Sequence, residues 1–217
     1  MHARVRLLLV GLTLVAGYAD AVAFFGLGVF TANMTGNTVL LGGAIVGHFL
    51  PNLHGDIGLV LPALSLAAFS SSAFAAALFL RNERGRPPVR TSAVLLSVAT
   101  FLAVTAALQH WAPPTLVALA VAILSASMGA QSVVALRLGV SGISTTFVTG
   151  TLVRWMLDLV EIPRQAGEQR RIEGRTNGTI WAFYLGGAVA GAVGLKMLGA
   201  DALWLPAVVV ALLLVVV

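Results

Sequence analysis

The sequence contains no cysteine, which excludes disulfides, thiolate metal sites and thiol catalysis. Charge is scarce as well: 10% of the 217 residues are Asp, Glu, Lys or Arg, against about 25% in a soluble domain. The four histidines (His2, His48, His54 and His110) lack helical i,i+4 ligand spacing, so no metal site is expected. There is no glycine-rich phosphate loop ending in Lys-Ser/Thr, no His-Glu-x-x-His helix and no Gly-x-Ser-x-Gly elbow. No nucleophile–base pair can be assembled. An enzyme is therefore disfavoured, and no cofactor is expected.

What is abundant is apolar surface. Hydrophobic residues make up 59% of the chain, and the mean hydropathy is +0.96. Long apolar runs with few charges describe a polytopic α-helical membrane protein. The net charge of +5 does not point to nucleic acid. Basic residues cluster in short loops, the pattern that sets membrane orientation.

Taken in order, Leu7–Leu27 is a first apolar span behind Arg4 and Arg6, read as an uncleaved helix. Val29–Phe49 is apolar with a polar head, and Pro51–Asp56 is a short loop. Ile57–Leu80 spans, Arg81–Arg90 is a basic loop, and Thr91–Leu108 spans to an interfacial turn at His110–Pro114. Thr115–Leu136 spans, and Gly139–Val160 is a second polar-headed segment. Glu161–Arg175 reads as a polar loop, Thr179–Leu198 spans, Gly199–Ala202 turns, and Leu203–Val217 is a short last span.

Charge chooses the topology. If all eight segments cross from a cytoplasmic N-terminus, the four arginines of Arg81–Arg90 fall outside, against the positive-inside rule. If the two polar-headed segments dip in and return, six helices place both basic loops in the cytoplasm, leaving only Lys196 near the outer face. Re-entrant backbone is allowed at membrane depth when protein or water surrounds it. Eight crossings, two of them broken, is the rival arrangement.

In the six-helix arrangement each half reads helix, dip, helix, helix. The halves, residues 1–110 and 111–217 of a single membrane domain, begin on opposite sides and form inverted repeats. Gly17-Tyr18-Ala19-Asp20 aligns with Gly129-Ala130-Gln131-Ser132. Thr35-Gly36-Asn37 aligns with Thr149-Gly150-Thr151, at a two-residue offset from the first match. Inverted repeats with broken helices meeting near mid-membrane are a transporter architecture.

The candidate site follows from the polar heads. Asn33, Thr35, Gly36, Asn37 and Thr38 in the first, and Thr149, Gly150 and Thr151 in the second, are residue types that cap helix N-termini. A helix starting inside the membrane aims free N–H groups and its positive dipole end at a site, which favours an anionic or polar solute. Close helix packing through Thr and Gly is the plain alternative. Asp20 is the acidic residue well inside an apolar span, a proton-coupling candidate or a structural hydrogen-bonding group. Gln131 and Ser132 are candidates to line the path opposite it, or to bond between helices. Arg154 can neutralise an anion, snorkel to the interface, or pair with Asp158 at i+4. Gly43-x-x-x-Gly47 and Gly187-x-x-x-Gly191 read as helix contacts.

Gly17-Tyr18-Ala19-Asp20-Ala21, then Ala32-Asn33-Met34-Thr35-Gly36-Asn37-Thr38-Val39 and later Thr149-Gly150-Thr151, resemble the YoaK-like family of bacterial inner-membrane proteins of unknown function. The resemblance covers nearly the whole chain. It implies a multi-pass protein of the bacterial inner membrane and supplies no substrate. The family motif commonly begins Gly-Tyr-Val-Asp, so Ala19 departs from it while Asp20 stays in register. The expectation is a small secondary transporter or channel-like carrier; the alternative is a non-transporting scaffold or accessory subunit. Its partners are the lipid bilayer and a small polar or anionic solute, with a homodimer left open.

Overall fold

The computed structural model describes residues 3–49, 58–81, 89–138, 148–161 and 168–217, and no strand occurs among them. The helices are α1 (Ala3–Leu27), α2 (Met34–Phe49), α3 (Val60–Leu80), α4 (Val89–Trp111), α5 (Val117–Leu138), α6 (Val148–Glu161), α7 (Glu168–Leu198) and α8 (Trp204–Leu213). A 3-10 turn at Pro114–Leu116 precedes α5, and another at Gly199–Leu203 joins α7 to α8. Among the described residues, five helical stretches are long and apolar enough to cross a membrane: Arg4–Leu27, Val60–Leu80, Val89–Trp111, Pro114–Leu138 and Thr176–Leu213. In hydrocarbon, backbone groups must bond within their own segment, and helices do so.

Some boundaries moved. The stretch Glu161–Arg175, expected to be a loop, is helical from Glu168 onward; its Glu, Gln and Arg residues are good helix formers. Pro51–Asp56 lies outside the described residues, as do residues 82–88 of the basic loop and residues 139–147 ahead of α6.

The last apolar stretch folds back on itself. Gly199 has φ +56°, in the left-handed region where glycine is unstrained. The chain turns there, so that Leu213 packs on Gly11 and the Tyr18 hydroxyl donates to Ala202 O at 2.9 Å.

Helix directions follow from such contacts. Along α1 and α7, Leu14 meets Gly187, Tyr18 meets Gly191, and Gly26 meets Leu195, so the two run parallel. Along α3 and α5, Ser65 pairs with Ser125, Phe69 lies on Gly129, and Arg137 reaches Leu80 O, so these are also parallel. Leu27, Leu108, Val117 and Ala200 line one cavity of about 250 Å³. That places the end of α1, the end of α4, the start of α5 and the α7–α8 turn together. The six helices α1, α3, α4, α5, α7 and α8 therefore alternate in direction.

Small residues set the closest approaches, as expected where lipid removes the hydrophobic drive between helices. A Cβ on Gly17 would run into Tyr184 O, and one on Gly129 into Phe69 O. Gly187 and Gly191 meet Leu14 O and Tyr18 O, so that motif is a helix contact as expected. Gly47 differs: open space surrounds it among the described residues, because α2 packs only on α3 to any extent.

Candidate functional site

The carboxylate of Asp20 is the centre of the polar part of the bundle. It is 3% exposed, and every contact around it is donated to it. Oδ1 accepts the backbone N–H groups of Thr31 at 2.8 Å, Ala32 at 2.7 Å and Asn33 at 3.3 Å. Oδ2 accepts the Tyr184 hydroxyl at 2.5 Å. One side chain thus ties α1 to α7 and to the chain entering α2.

Local sequence makes this geometry. Gly28, at φ +75°, ends α1 and sends the chain back into the bundle. Three successive N–H groups then turn toward one point, a backbone nest suited to an anion. Asn33 caps α2, its Oδ1 accepting from Gly36 N–H at 3.2 Å. Asn37, fully buried, donates to Phe30 O at 2.6 Å and Ser65 Oγ at 2.8 Å, and accepts from Phe30 N–H at 2.9 Å. Ser65 and Ser125 share a hydrogen bond of 2.8 Å. The network therefore joins the entry loop, α2, α3 and α5. Phe30 stacks on Phe24 with ring centroids 4.5 Å apart and lies where a Gly36 Cβ would sit.

Asp20, Asn33, Gly36 and Asn37 come together in this way. Thr35 and Thr38 do not join them: both are exposed, and Thr38 bonds back to Met34 O within its own helix. Thr149 and Gly150 are exposed at the start of α6, with Thr151 buried. α6 packs on α7, where Asn177 donates to Asp158 at 2.8 Å. Among the described residues Arg154 is exposed and makes no ion pair with Asp158. Gln131 and Ser132 are buried, but they do not face Asp20. Gln131 donates to Leu12 O at 2.8 Å, two helical turns along α1 from Asp20, and its Oε1 is buried without a partner. Ser132 bonds within α5 to Met128 O. A cavity of about 710 Å³ between α3, α4 and α5, and the 250 Å³ one described above, are lined without any residue of the two TG motifs.

Tyr184, Ser65 and Ser125 went unnoticed in the sequence. A signal existed for Tyr184. The two tyrosines of the chain, Tyr18 and Tyr184, both lie in the middle of apolar runs, whereas tyrosine prefers the membrane–water interface. A mid-span hydroxyl needs an acceptor inside the protein, and Asp20 is one.

Long apolar helices that alternate in direction around a buried polar cluster define a multi-pass α-helical membrane protein. The chain belongs to the family described as Protein of unknown function (DUF1275), whose model matches residues 8–216. It is similar to the UPF0700 transmembrane protein YoaK of Bacillus subtilis (strain 168), 35% identical over 150 residues. The match covers 68% of this chain and 64% of that relative, so the chain spans less than two thirds of the relative's length. No solved structure matches it.

Proposed function

We propose that the chain is a small carrier or channel-like transporter for a small polar solute in the bacterial inner membrane. In this reading six helices cross, α2 and α6 are re-entrant, and the two halves are inverted repeats with the N-terminus in the cytoplasm. One observation supports it: the main helix neighbours keep their pairing when α1 is exchanged with α5, α2 with α6, α3 with α7 and α4 with α8. Parallel α1–α7 becomes parallel α5–α3, α2 on α3 becomes α6 on α7, and α4–α5 becomes α8–α1. Gly17 under Tyr184 O becomes Gly129 under Phe69 O, at the positions the sequence alignment pairs. Opposed halves related in this way are how alternating access is built.

The same geometry narrows the solute. The N–H groups ahead of α2 already hold the Asp20 carboxylate, so an anionic solute finds that position taken. A neutral polar solute fits this end better, and the argument for an anion rests on α6 and Arg154. In this reading Asp20 couples solute movement to a cation or proton, because releasing its donors would free the loop entering α2 from α1 and loosen α1 from Tyr184 of α7.

The second reading, a non-transporting scaffold, draws on the same cluster being saturated by the protein's own groups. Single cysteines at Thr35 and Thr149 in this cysteine-free chain separate the two. In a carrier, an impermeant thiol reagent reaches each from one side only, and cross-linking one changes the labelling of the other. A scaffold leaves the two labelling rates independent, and that outcome would retire the carrier reading.

A further inference from the structure

A groove runs along the bundle between α3 and α4 with α5 as its floor, enclosing about 710 Å³. Its lining is small and apolar, with Ala68, Ala75, Ala93 and Ala126 between Phe79 and Phe101. The hydroxyl protons along it are all committed: Ser71 to Ala67 O, Ser72 to Ala126 O and Ser97 to Val94 O. A polar occupant would therefore find no donor in the groove. Ser71, Ala75, Phe79 and Ala93 are exposed along its rim.

One end of the groove is cationic. Arg137 donates to Leu80 O at 2.5 Å and Ala77 O at 3.1 Å, across the end of α3. Arg90 donates to Phe79 O at 3.1 Å and lies 5.5 Å from the centroid of the Phe79 ring, which lines the groove. Arg81 is exposed immediately after α3. Basic residues at the end of an apolar cleft between membrane helices match an anionic lipid in both of its parts. At the exchange-related place on α1, Tyr18 packs against α7 and the α7–α8 turn instead, its hydroxyl reaching Ala202 O and lying where a Gly194 Cβ would sit.

We infer that the groove holds an acyl chain of one anionic phospholipid, with the phosphate at Arg81, Arg90 and Arg137. The site is independent of any transport activity. It gives one half of the bundle a lipid where the other half has a tyrosine.

Native mass spectrometry of the purified full chain, titrated with dioleoyl phosphatidylglycerol or dioleoyl phosphatidylcholine, tests this. The wild type should retain one phosphatidylglycerol, with phosphatidylcholine held about fivefold more weakly for each arginine engaged. Ala75→Leu with Ala93→Leu fills the groove and should remove retention of both lipids. Arg81→Gln with Arg90→Gln should cut the headgroup preference to the roughly fivefold that Arg137 alone supplies, while the chain still binds. If the filled double variant elutes aggregated, Ala75→Leu alone, on the exposed rim, carries the same test. Unchanged phosphatidylglycerol retention in a folded filled variant would overturn the proposal, as would equal binding of the two lipids by the wild type. A filled variant that shifts from dimer to monomer would also overturn it, making the groove an interface between copies.

Discussion

Asp20→Ala is the perturbation with the most to reveal. The carboxylate receives three backbone N–H groups and one hydroxyl, all buried or half-buried. Each donor left unpaired away from water costs about 1–3 kcal/mol, so leaving all four in place would cost roughly 4–12 kcal/mol, as much as many whole proteins possess. The cheaper response is for residues 28–33 to pull away from α1 and find water, which limits the visible loss to about 3–4 kcal/mol. Tyr184→Phe removes a single donor and should cost about 1 kcal/mol. Asp20→Asn should fall between them: its carboxamide keeps one acceptor for the N–H groups, and its NH₂ can donate to the Tyr184 oxygen. Thermal unfolding in detergent reads the order. Thr31→Cys reads the mechanism, because Thr31 is fully buried and should label slowly until Asp20→Ala frees the loop. Equal, small losses for Asp20→Ala and Tyr184→Phe, with Thr31→Cys still protected, would refute the idea that Asp20 anchors the entry to α2.

Gly17→Ala and Gly129→Ala should each destabilise by about 1–3 kcal/mol, since each new methyl meets a backbone carbonyl that cannot move aside. Gly42→Ala, in open space on α2, should be neutral or stabilise by up to about 1 kcal/mol; melting curves in detergent decide, and a harmless Gly129→Ala would remove the packing argument. Cysteines at Arg84 and Gln169 should both label only after lysis, and labelling of one from outside the cell would favour eight crossings. In proteoliposomes carrying a pH dye, Asp20→Asn should abolish proton flux in protein that still inserts and folds. Undiminished flux would leave Asp20 as a structural anchor alone.

Membrane character was legible in composition alone, because hydropathy needs no partner: a run such as Ile57–Leu80 is apolar whatever surrounds it. The polar head at Asn33–Thr38 was legible for the same reason. Capping chemistry is local, and Asn33 caps α2 through Gly36 N–H, three residues on. The extra turns of α7 were hidden because a charged stretch such as Glu168–Arg175 reads equally well as a soluble loop or as helix beyond the bilayer.

What Asp20 does was decided only in three dimensions. Its partners stand 11, 12, 13 and 164 residues away in the chain, and neither hydropathy nor helical spacing connects them. The tertiary structure also turned the free N–H groups ahead of α2 from an open anion site into one filled by the protein itself. It left Gln131 against Leu12 and Thr35 at the surface. A sequence shows which polar groups must be satisfied inside a membrane; which group satisfies which depends on the angle and depth at which helices far apart in the chain are packed.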